Sequence, residues 1–245
     1  MTPDLSAALA EVAARRPLLV ASDYDGVLAE LVDDPSAAVP ARGVAEALGR
    51  LAAADGVIVA LVSGRGVADL QRTSGLIGPY RWVGSHGAEF DGPLTGELAD
   101  RRDALARALA PVVAEVAGAR LEVKPASVAV HVRQVPDAQV GAALLERVAT
   151  TADPSLTHKP GKNVLELAVT DADKGSALRR LRTELGVAAA IYLGDDVTDE
   201  DGFRALEPGD LGIKVGDGET AAAHRVADPA AVVVLLEELA GLVGR

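Results

Sequence analysis

The chain contains no cysteine. Disulfide frameworks, thiol nucleophiles and zinc–thiolate centres are therefore excluded. Aromatic residues make up only 2% of it, so its core must be built from aliphatic side chains. Positive charge is also scarce: 24 Lys and Arg stand against 36 Asp and Glu, a formal net charge of −12. A surface of that sign cannot replace phosphate counterions, which argues against non-specific nucleic-acid binding. A small anionic substrate stays possible, because a local cluster of Lys and Arg or a metal ion can reverse the sign of one pocket. No apolar run reaches the roughly 18 residues that a membrane span needs. The opening MTPDLSAALAEVAARR lacks the cationic start and apolar stretch of a secretory leader. The expectation is a cytoplasmic protein without a membrane or nucleic-acid partner.

At 245 residues the chain can bury a substantial core as one domain, or as a domain carrying an inserted partner. Hydrophobic patterning supplies the elements. Leu18 to Ser22 and Val57 to Val62 are apolar runs that turn polar only at their carboxyl ends, as buried parallel strands do. Residues 41–55 have helical spacing between them. Trp82-Val83-Gly84 is a third strand candidate. After residue 170 the alternation resumes: helix 175–185, strand 190–193, helix 199–206, strand 211–215 and helix 230–242. Strands alternating with helices predict a doubly wound, mostly parallel α/β sheet.

The middle of the chain has a different rhythm. A helix over 98–117, strands at 121–124 and 128–133, a helix near 137–150 and two short strands near Thr157 and at 164–169 give the order α-β-β-α-β-β. That order predicts an antiparallel sheet covered on one side by helices. Residues 95–169 therefore read as an α+β lid inserted into a larger domain formed by 1–94 and 170–245. Gly92-Pro93 and Thr170-Asp171 are the expected hinges.

In an open parallel sheet, ligands sit beyond the carboxyl ends of the strands, where strand order reverses. The polar residues fall at those ends: Asp23 and Asp25, Ser63, and Asp195 with Asp196 and Asp199. Lys174 opens the helix that follows the lid. Carboxylates gathered in one place raise each other's pKa values. A hard divalent cation relieves that repulsion, and Mg2+ prefers a few carboxylates together with a substrate phosphate.

The pattern resembles the haloacid dehalogenase-like phosphatases over nearly the whole chain. Asp23-Tyr24-Asp25-Gly26-Val27 is similar to their first motif, Ser63 to the second, Lys174 to the third, and Gly194-Asp195-Asp196-Val197-Thr198-Asp199-Glu200 to the fourth. Within that superfamily, Ser63-Gly64-Arg65, Gly84-Ser85-His86-Gly87-Ala88-Glu89, His131-Val132-Arg133 and Gly161-Lys162 with Glu166 resemble the trehalose-6-phosphate phosphatases. Val27 stands where Thr is commoner, and Val132 where an aromatic is frequent. The resemblance implies a Rossmann-like core with an inserted cap and a Mg2+-dependent hydrolysis of trehalose 6-phosphate through an aspartyl-phosphate. Asp23 would be the nucleophile and Asp25 the general acid and base. Ser63 and Lys174 would hold the phosphoryl oxygens. Mg2+ would be held by Asp23, the Asp25 carbonyl and Asp195, with Asp196 or Asp199 acting directly or through water. Gly64, Arg65, His86, Arg133, Lys159, Lys162 and Glu166 would contact the phosphosugar, with Lys124, His131 and His158 as further candidates. A monomer is expected.

These segments also admit other readings. Asp23-Tyr24-Asp25-Gly26 is a poor calcium loop, because Val27 and Asp34 stand where an oxygen ligand and a Glu belong. Gly216 to Ala221 mimics a dinucleotide fingerprint, but no strand with a terminal acid follows about 20 residues on. Pro160-Gly161-Lys162-Asn163 is either a plain hairpin or a sugar-contacting loop. His86 is either a loop-stabilising residue or a substrate contact. The functional rivals are another sugar phosphatase of this architecture, acting on sucrose phosphate or on mannosyl- or glucosyl-phosphoglycerate, a phosphosugar mutase, and a non-catalytic sugar-phosphate sensor.

Overall fold

The structure is a computed structural model that describes residues 2–151 and 153–244. It divides into two compact units, Met1–Gly92 with Ala172–Arg245, and Pro93–Asp171. Among the described residues, no helix is long and apolar enough to cross a membrane.

The first unit is an α/β layer structure around a seven-stranded sheet. Its strands are β1 (Leu18–Ser22), β2 (Val57–Val62), β3 (Arg81–Gly84), β4 (Glu89–Phe90), then β9 (Ala189–Gly194), β10 (Leu211–Val215) and β11 (His224–Val226). Their spatial order is β11-β10-β9-β1-β2-β3-β4. All neighbours are parallel except β3 with β4. The chain leaves β1 for β2 on one side and later returns to β9 on the other, so strand order reverses at β1. The register sets Ser22 beside Leu61 and Leu193, which brings the ends of all three strands level.

Because β1 is central, both of its faces are buried. Leu18 and Val20 join one apolar cluster with helices α1 (Pro3–Ala13), α2 (Val44–Ala52), α3 (Val67–Ser74) and α8 (Pro229–Val243). Leu19 and Ala21 join the opposite cluster with α6 (Lys174–Leu185) and α7 (Asp199–Arg204). Two-residue periodicity delivers alternate side chains to the two layers. Burying each Leu contributes about 1.5–3 kcal/mol. The aliphatic core expected from the composition is present, with Tyr24 and Tyr192 among its largest fully buried side chains.

Two helix starts carry local signals. Asp173 caps α6 by accepting from Ser176 N, while the Ser176 hydroxyl returns to Asp173 N. Asp228 caps α8 through Ala231 N. Both remove orphan amide donors at the first turn.

The second unit holds α4 (Glu97–Ala114), β5 (Arg120–Lys124), β6 (Ser127–His131), α5 (Ala138–Thr151), β7 (Thr157–Gly161) and β8 (Val164–Ala168). Its antiparallel sheet runs β5-β6-β8-β7. Val128, Val130, Leu165 and Leu167 pack with Leu109 of α4 and with Leu144 and Val148 of α5. The alternate residues Ser127, Ala129, His131, Glu166 and Ala168 therefore line the sheet's other face. Lys162 and Asn163 form the two-residue connection of the β7–β8 hairpin, with Asn163 in the left-handed region at φ 60°.

Two strands escape the hydrophobic pattern. β4 has two residues, and β11 is the mostly polar His224-Arg225-Val226. Both lie at sheet edges, where half of a strand's surroundings are absent and an apolar run is not required.

Candidate active site

The strand ends converge on Asp23. Its backbone N–H donates to Leu193 O across the β1–β9 seam at 2.9 Å. Its Oδ1 accepts from Tyr24 N at 2.6 Å and its Oδ2 from Lys174 Nζ at 2.5 Å. Lys174 also donates to Asp199 Oδ1 at 2.7 Å. The capped start of α6 thus delivers one ammonium, only 1% exposed, between two buried carboxylates. Oxygens of Asp23, Asp195 and Asp199 lie within 4.8 Å of one another.

Gly26 lets this happen. It sits at φ 73°, and a Cβ there would overlap the Asp195 carboxylate. The glycine of the first motif is thus required both by its left-handed backbone and by the approach of the fourth motif.

Three carboxylates share the ammonium of Lys174, and even with that of Lys214 at the Asp195 carbonyl the excess of charge is negative in a largely buried place. Burial pushes Asp23 up to about 7; Lys174 opposes this and Asp199 adds to it. Burial likewise lifts Asp195 to about 6, with Asp199 again adding. Burial works against the charge of Lys174, yet its two carboxylate partners outweigh that and hold its pKa above the usual lysine value. The donor set is hard oxygen, clustered and under-neutralised, which fits a divalent cation such as Mg2+.

The members of the fourth motif separate in their surroundings. Asp199 is fully buried, and both of its oxygens are occupied. Oδ1 accepts from Lys174 and from the Tyr192 hydroxyl at 2.5 Å; Oδ2 accepts from Asp195 N and Asp196 N, each at 3.0 Å. Asp199 therefore shapes the loop that presents Asp195, and Asp23 and Asp195 keep more freedom to meet a cation. Asp196 is exposed, accepts from Val197 N, and does not join the three-carboxylate cluster.

Ser63 lies one residue beyond β2 and is 1% exposed. Its N–H reaches Val83 O at 2.9 Å, its carbonyl accepts from His86 N at 3.0 Å, and its Oγ accepts from Arg65 N at 3.2 Å. The His86 ring lies against Gly64, where a Cβ would meet Cε1 at 2.6 Å. Arg65 turns to Asp25: Nε reaches Oδ2 and Nη2 reaches Oδ1, both at 2.7 Å.

Three further residues support the site, of which Tyr192 and Lys214 lie outside the motifs. The Tyr192 phenol, pushed well above its usual pKa by burial and then by Asp199, holds that carboxylate. The buried Lys214 of β10 donates to the Asp195 carbonyl. Glu89 of β4 accepts from Val67 N at 3.2 Å and from the Ser85 hydroxyl at 2.7 Å, tying the start of α3 to the turn that holds His86. Tyr192 and Lys214 interrupt apolar strands, and a polar residue inside such a run is a signal that could have been followed.

In the second unit, Glu166 accepts from Lys124 Nζ at 2.5 Å and from the Ser127 hydroxyl at 2.8 Å. Lys159 stands opposite it in register. Burial pushes the Glu166 carboxyl up, but those bonds, with the charges of Lys124 and Lys159, outweigh this and hold it below the usual carboxylate value. His131 pairs with Glu122 at 2.7 Å. Lys124 and Glu122 occupy the same face, since they pair with Ser127 and Ala129 across the β5–β6 ladder. Arg133, His158 and Lys162 are exposed and do not join the Glu166 cluster.

A parallel sheet whose carboxyl edge gathers an aspartate pair, a serine and a lysine-bridged acidic loop defines an α/β protein of the haloacid dehalogenase-like class. Comparison with known proteins narrows this. The family model described as trehalose-phosphatase matches residues 21–230. A trehalose-6-phosphate phosphatase of Escherichia coli is 33% identical over 84% of this chain and 80% of its own length. A trehalose-phosphate phosphatase of Mycolicibacterium paratuberculosis is 36% identical over 97% of this chain, and this chain spans only 66% of that protein's length. The solved trehalose-6-phosphate phosphatase of Aspergillus fumigatus superposes with a TM-score of 0.72 at 27% identity, covering 96% of this chain and 97% of its own. The chain belongs to the trehalose-phosphatase family.

Proposed function

We propose that this protein hydrolyses trehalose 6-phosphate to trehalose and phosphate, with Asp23 as nucleophile. The observation that carries the reading is the Lys174 bridge: one buried ammonium orients Asp23 while Asp195 stands in the same cluster. Membership of the family supports the substrate.

The Asp23 carboxylate attacks phosphorus as the bond to the sugar oxygen breaks, leaving an acyl phosphate on Asp23. Asp25 gives its proton to the departing sugar oxygen. In the second half, water attacks phosphorus, Asp25 takes a proton from that water, and the Asp23 carboxylate is released with inorganic phosphate. Such acid–base help is typically worth about 10²–10⁴-fold. Lys174 and Ser63 hold the phosphoryl oxygens, where charge spreads as the reaction proceeds. Asp23, Asp195 and the Asp25 carbonyl would hold Mg2+, which would supply further neutralisation of that charge.

Sugar hydroxyls are assigned to the polar face of the second unit. Glu166, Lys124 and Glu122 are its centre, with Arg133, Lys159 and Lys162 around them. A preformed charged network is suited to reading hydroxyls, because both donors and acceptors are already oriented. The remaining parts of the reading are a cytoplasmic, monomeric enzyme with no macromolecular substrate.

The test is phosphate release from a panel of phosphosugars, with the wild type and Asp23→Asn side by side. Trehalose 6-phosphate should be preferred by a wide margin. Equal rates across the panel would remove the substrate and leave a phosphatase. Tight binding without release would replace the enzyme with a sensor.

A further inference from the structure

Arg65 follows Ser63 closely enough to suggest a phosphate ligand, and its surroundings speak against that. Of the five N–H groups of a guanidinium, four are engaged. Nε and Nη2 grip Asp25 as a fork, both at 2.7 Å. Nη2 also donates to the Pro35 carbonyl at 2.6 Å, and Nη1 to Asp69 Oδ2 at 3.0 Å. The charge is answered by two carboxylates, and the guanidinium lies 5.8 Å from the centre of the Tyr24 ring. The side chain is 10% exposed, against 32% for Asp25. An incoming phosphate dianion would meet a cation already outnumbered by anions.

The same contacts describe a mount. Asp69 lies in the first turn of α3, four residues on from Arg65, so the start of that helix also holds the guanidinium. Pro35 belongs to the loop that Tyr24 pins through its hydroxyl to Ala38 O at 2.8 Å. Arg65 thus joins three segments (the first-motif loop, the 35–38 segment and the start of α3) and presents a planar fork to one carboxylate. A bidentate pair fixes the plane of a carboxylate as well as its position.

We infer that Arg65 is a positioning residue that fixes the place and plane of Asp25, one oxygen of which leaves the fork to carry the proton given to the sugar oxygen, and that it is not a ligand of the phosphoryl group. This rests on the phosphatase reading above and names a residue that acts through Asp25.

The experiment compares two phosphate esters with one enzyme. Trehalose 6-phosphate has an alkoxide leaving group that needs a proton. p-Nitrophenyl phosphate departs as a stabilised phenolate and needs little help. In Arg65→Met, kcat on the sugar ester should fall about 10–100-fold, a part of the general-acid contribution. On the aryl ester the burst of nitrophenolate, which reports the first half alone and needs no proton from Asp25, should slow less than about threefold, and inhibition by inorganic phosphate should be unchanged. Arg65→Lys, which keeps the charge but loses the fork, should recover only part of the sugar-ester rate. Equal losses on both esters, with weaker phosphate inhibition, would make Arg65 a phosphate ligand and overturn the inference. Equal losses with a lowered Tm and unchanged inhibition would make it purely structural and overturn it too. A wild type that releases phosphate from neither ester would overturn the phosphatase reading itself.

Discussion

Two carboxylate sites in this molecule are pushed in opposite directions. At the end of β1 and β9, Asp23 and Asp195 are lifted to about 7 and about 6. On the polar face of the β5–β8 sheet, Glu166 is held below its usual value. Burial opposes ionisation in both places. The difference lies in the balance of cations. In the first unit, one lysine serves two carboxylates and a third stands close by. In the second, Glu166 has Lys124 in contact and Lys159 opposite it, with a serine hydroxyl besides. The first site is built short of positive charge, as the proposed metal and phosphate site requires, and the second is already balanced, as the proposed hydroxyl-reading surface requires.

The contrast can be broken most severely at Asp23. Asp23→Asn should lower kcat by on the order of 10⁴-fold or more, since removing a nucleophile removes the pathway. Phosphate release in a single turnover measures it, and near-normal release would end the aspartyl-phosphate account.

Chelation comes next. EDTA should abolish turnover and Mg2+ should restore it. The same deficit has a stability signature. Folded-state pKa values raised above the unfolded carboxyl range mean that the folded protein binds more protons, so metal-free stability should fall as pH rises from about 4 to about 7. The rise in Tm on adding Mg2+ should grow over that window, and Asp195→Asn should flatten it. A Tm that ignores both pH and Mg2+ would refute the charge deficit.

At the balanced site the effect should be smaller and of another kind. Glu166→Gln should raise KM for trehalose 6-phosphate about 10–100-fold while leaving p-nitrophenyl phosphate hydrolysis little changed, because the aryl ester has no sugar hydroxyls to read. Its stability term has the opposite sign: a lowered pKa contributes above the usual carboxyl value and is lost as pH falls through the folded one. Equal losses on both esters would take Glu166 out of sugar recognition.

The smallest change is Tyr192→Phe. It deletes one hydrogen bond to the buried Asp199 and should lower unfolding stability by about 1–2 kcal/mol, read by urea titration. No change in stability would mean that Lys174 and the two loop amides satisfy Asp199 unaided.

Much of the first unit was legible in the chain itself. Runs such as Leu18 to Ser22 and Val57 to Val62 announce buried strands because both faces of a central parallel strand are covered. Asp23, Ser63, Lys174 and Asp195 announce the site because each stands where such a strand ends or a helix begins. The edges were less legible: β11 is too polar, and β4 too short, to leave a pattern. The partner of Arg65 was also hidden. Its place two residues after Ser63 says nothing of that partner, because the side chain reaches forty residues back to Asp25. The polar face of the second sheet was partly hidden for the same reason. Lys124, Ser127 and Glu166 meet only once β5, β6 and β8 are in register.

The sequence by itself determined the layer order, the chemical types at the strand ends and the want of positive charge, because these follow from periodicity, spacing and composition. Only the tertiary structure decided how the charges are shared. It gave Lys174 to Asp23 and Asp199 together, closed both oxygens of Asp199, brought Asp195 into the same cluster, and turned Arg65 to Asp25. Those outcomes depend on distances of a few ångströms between residues far apart in the chain. At that range Coulomb energies and hydrogen bonds change steeply with position, and no spacing along the sequence encodes them.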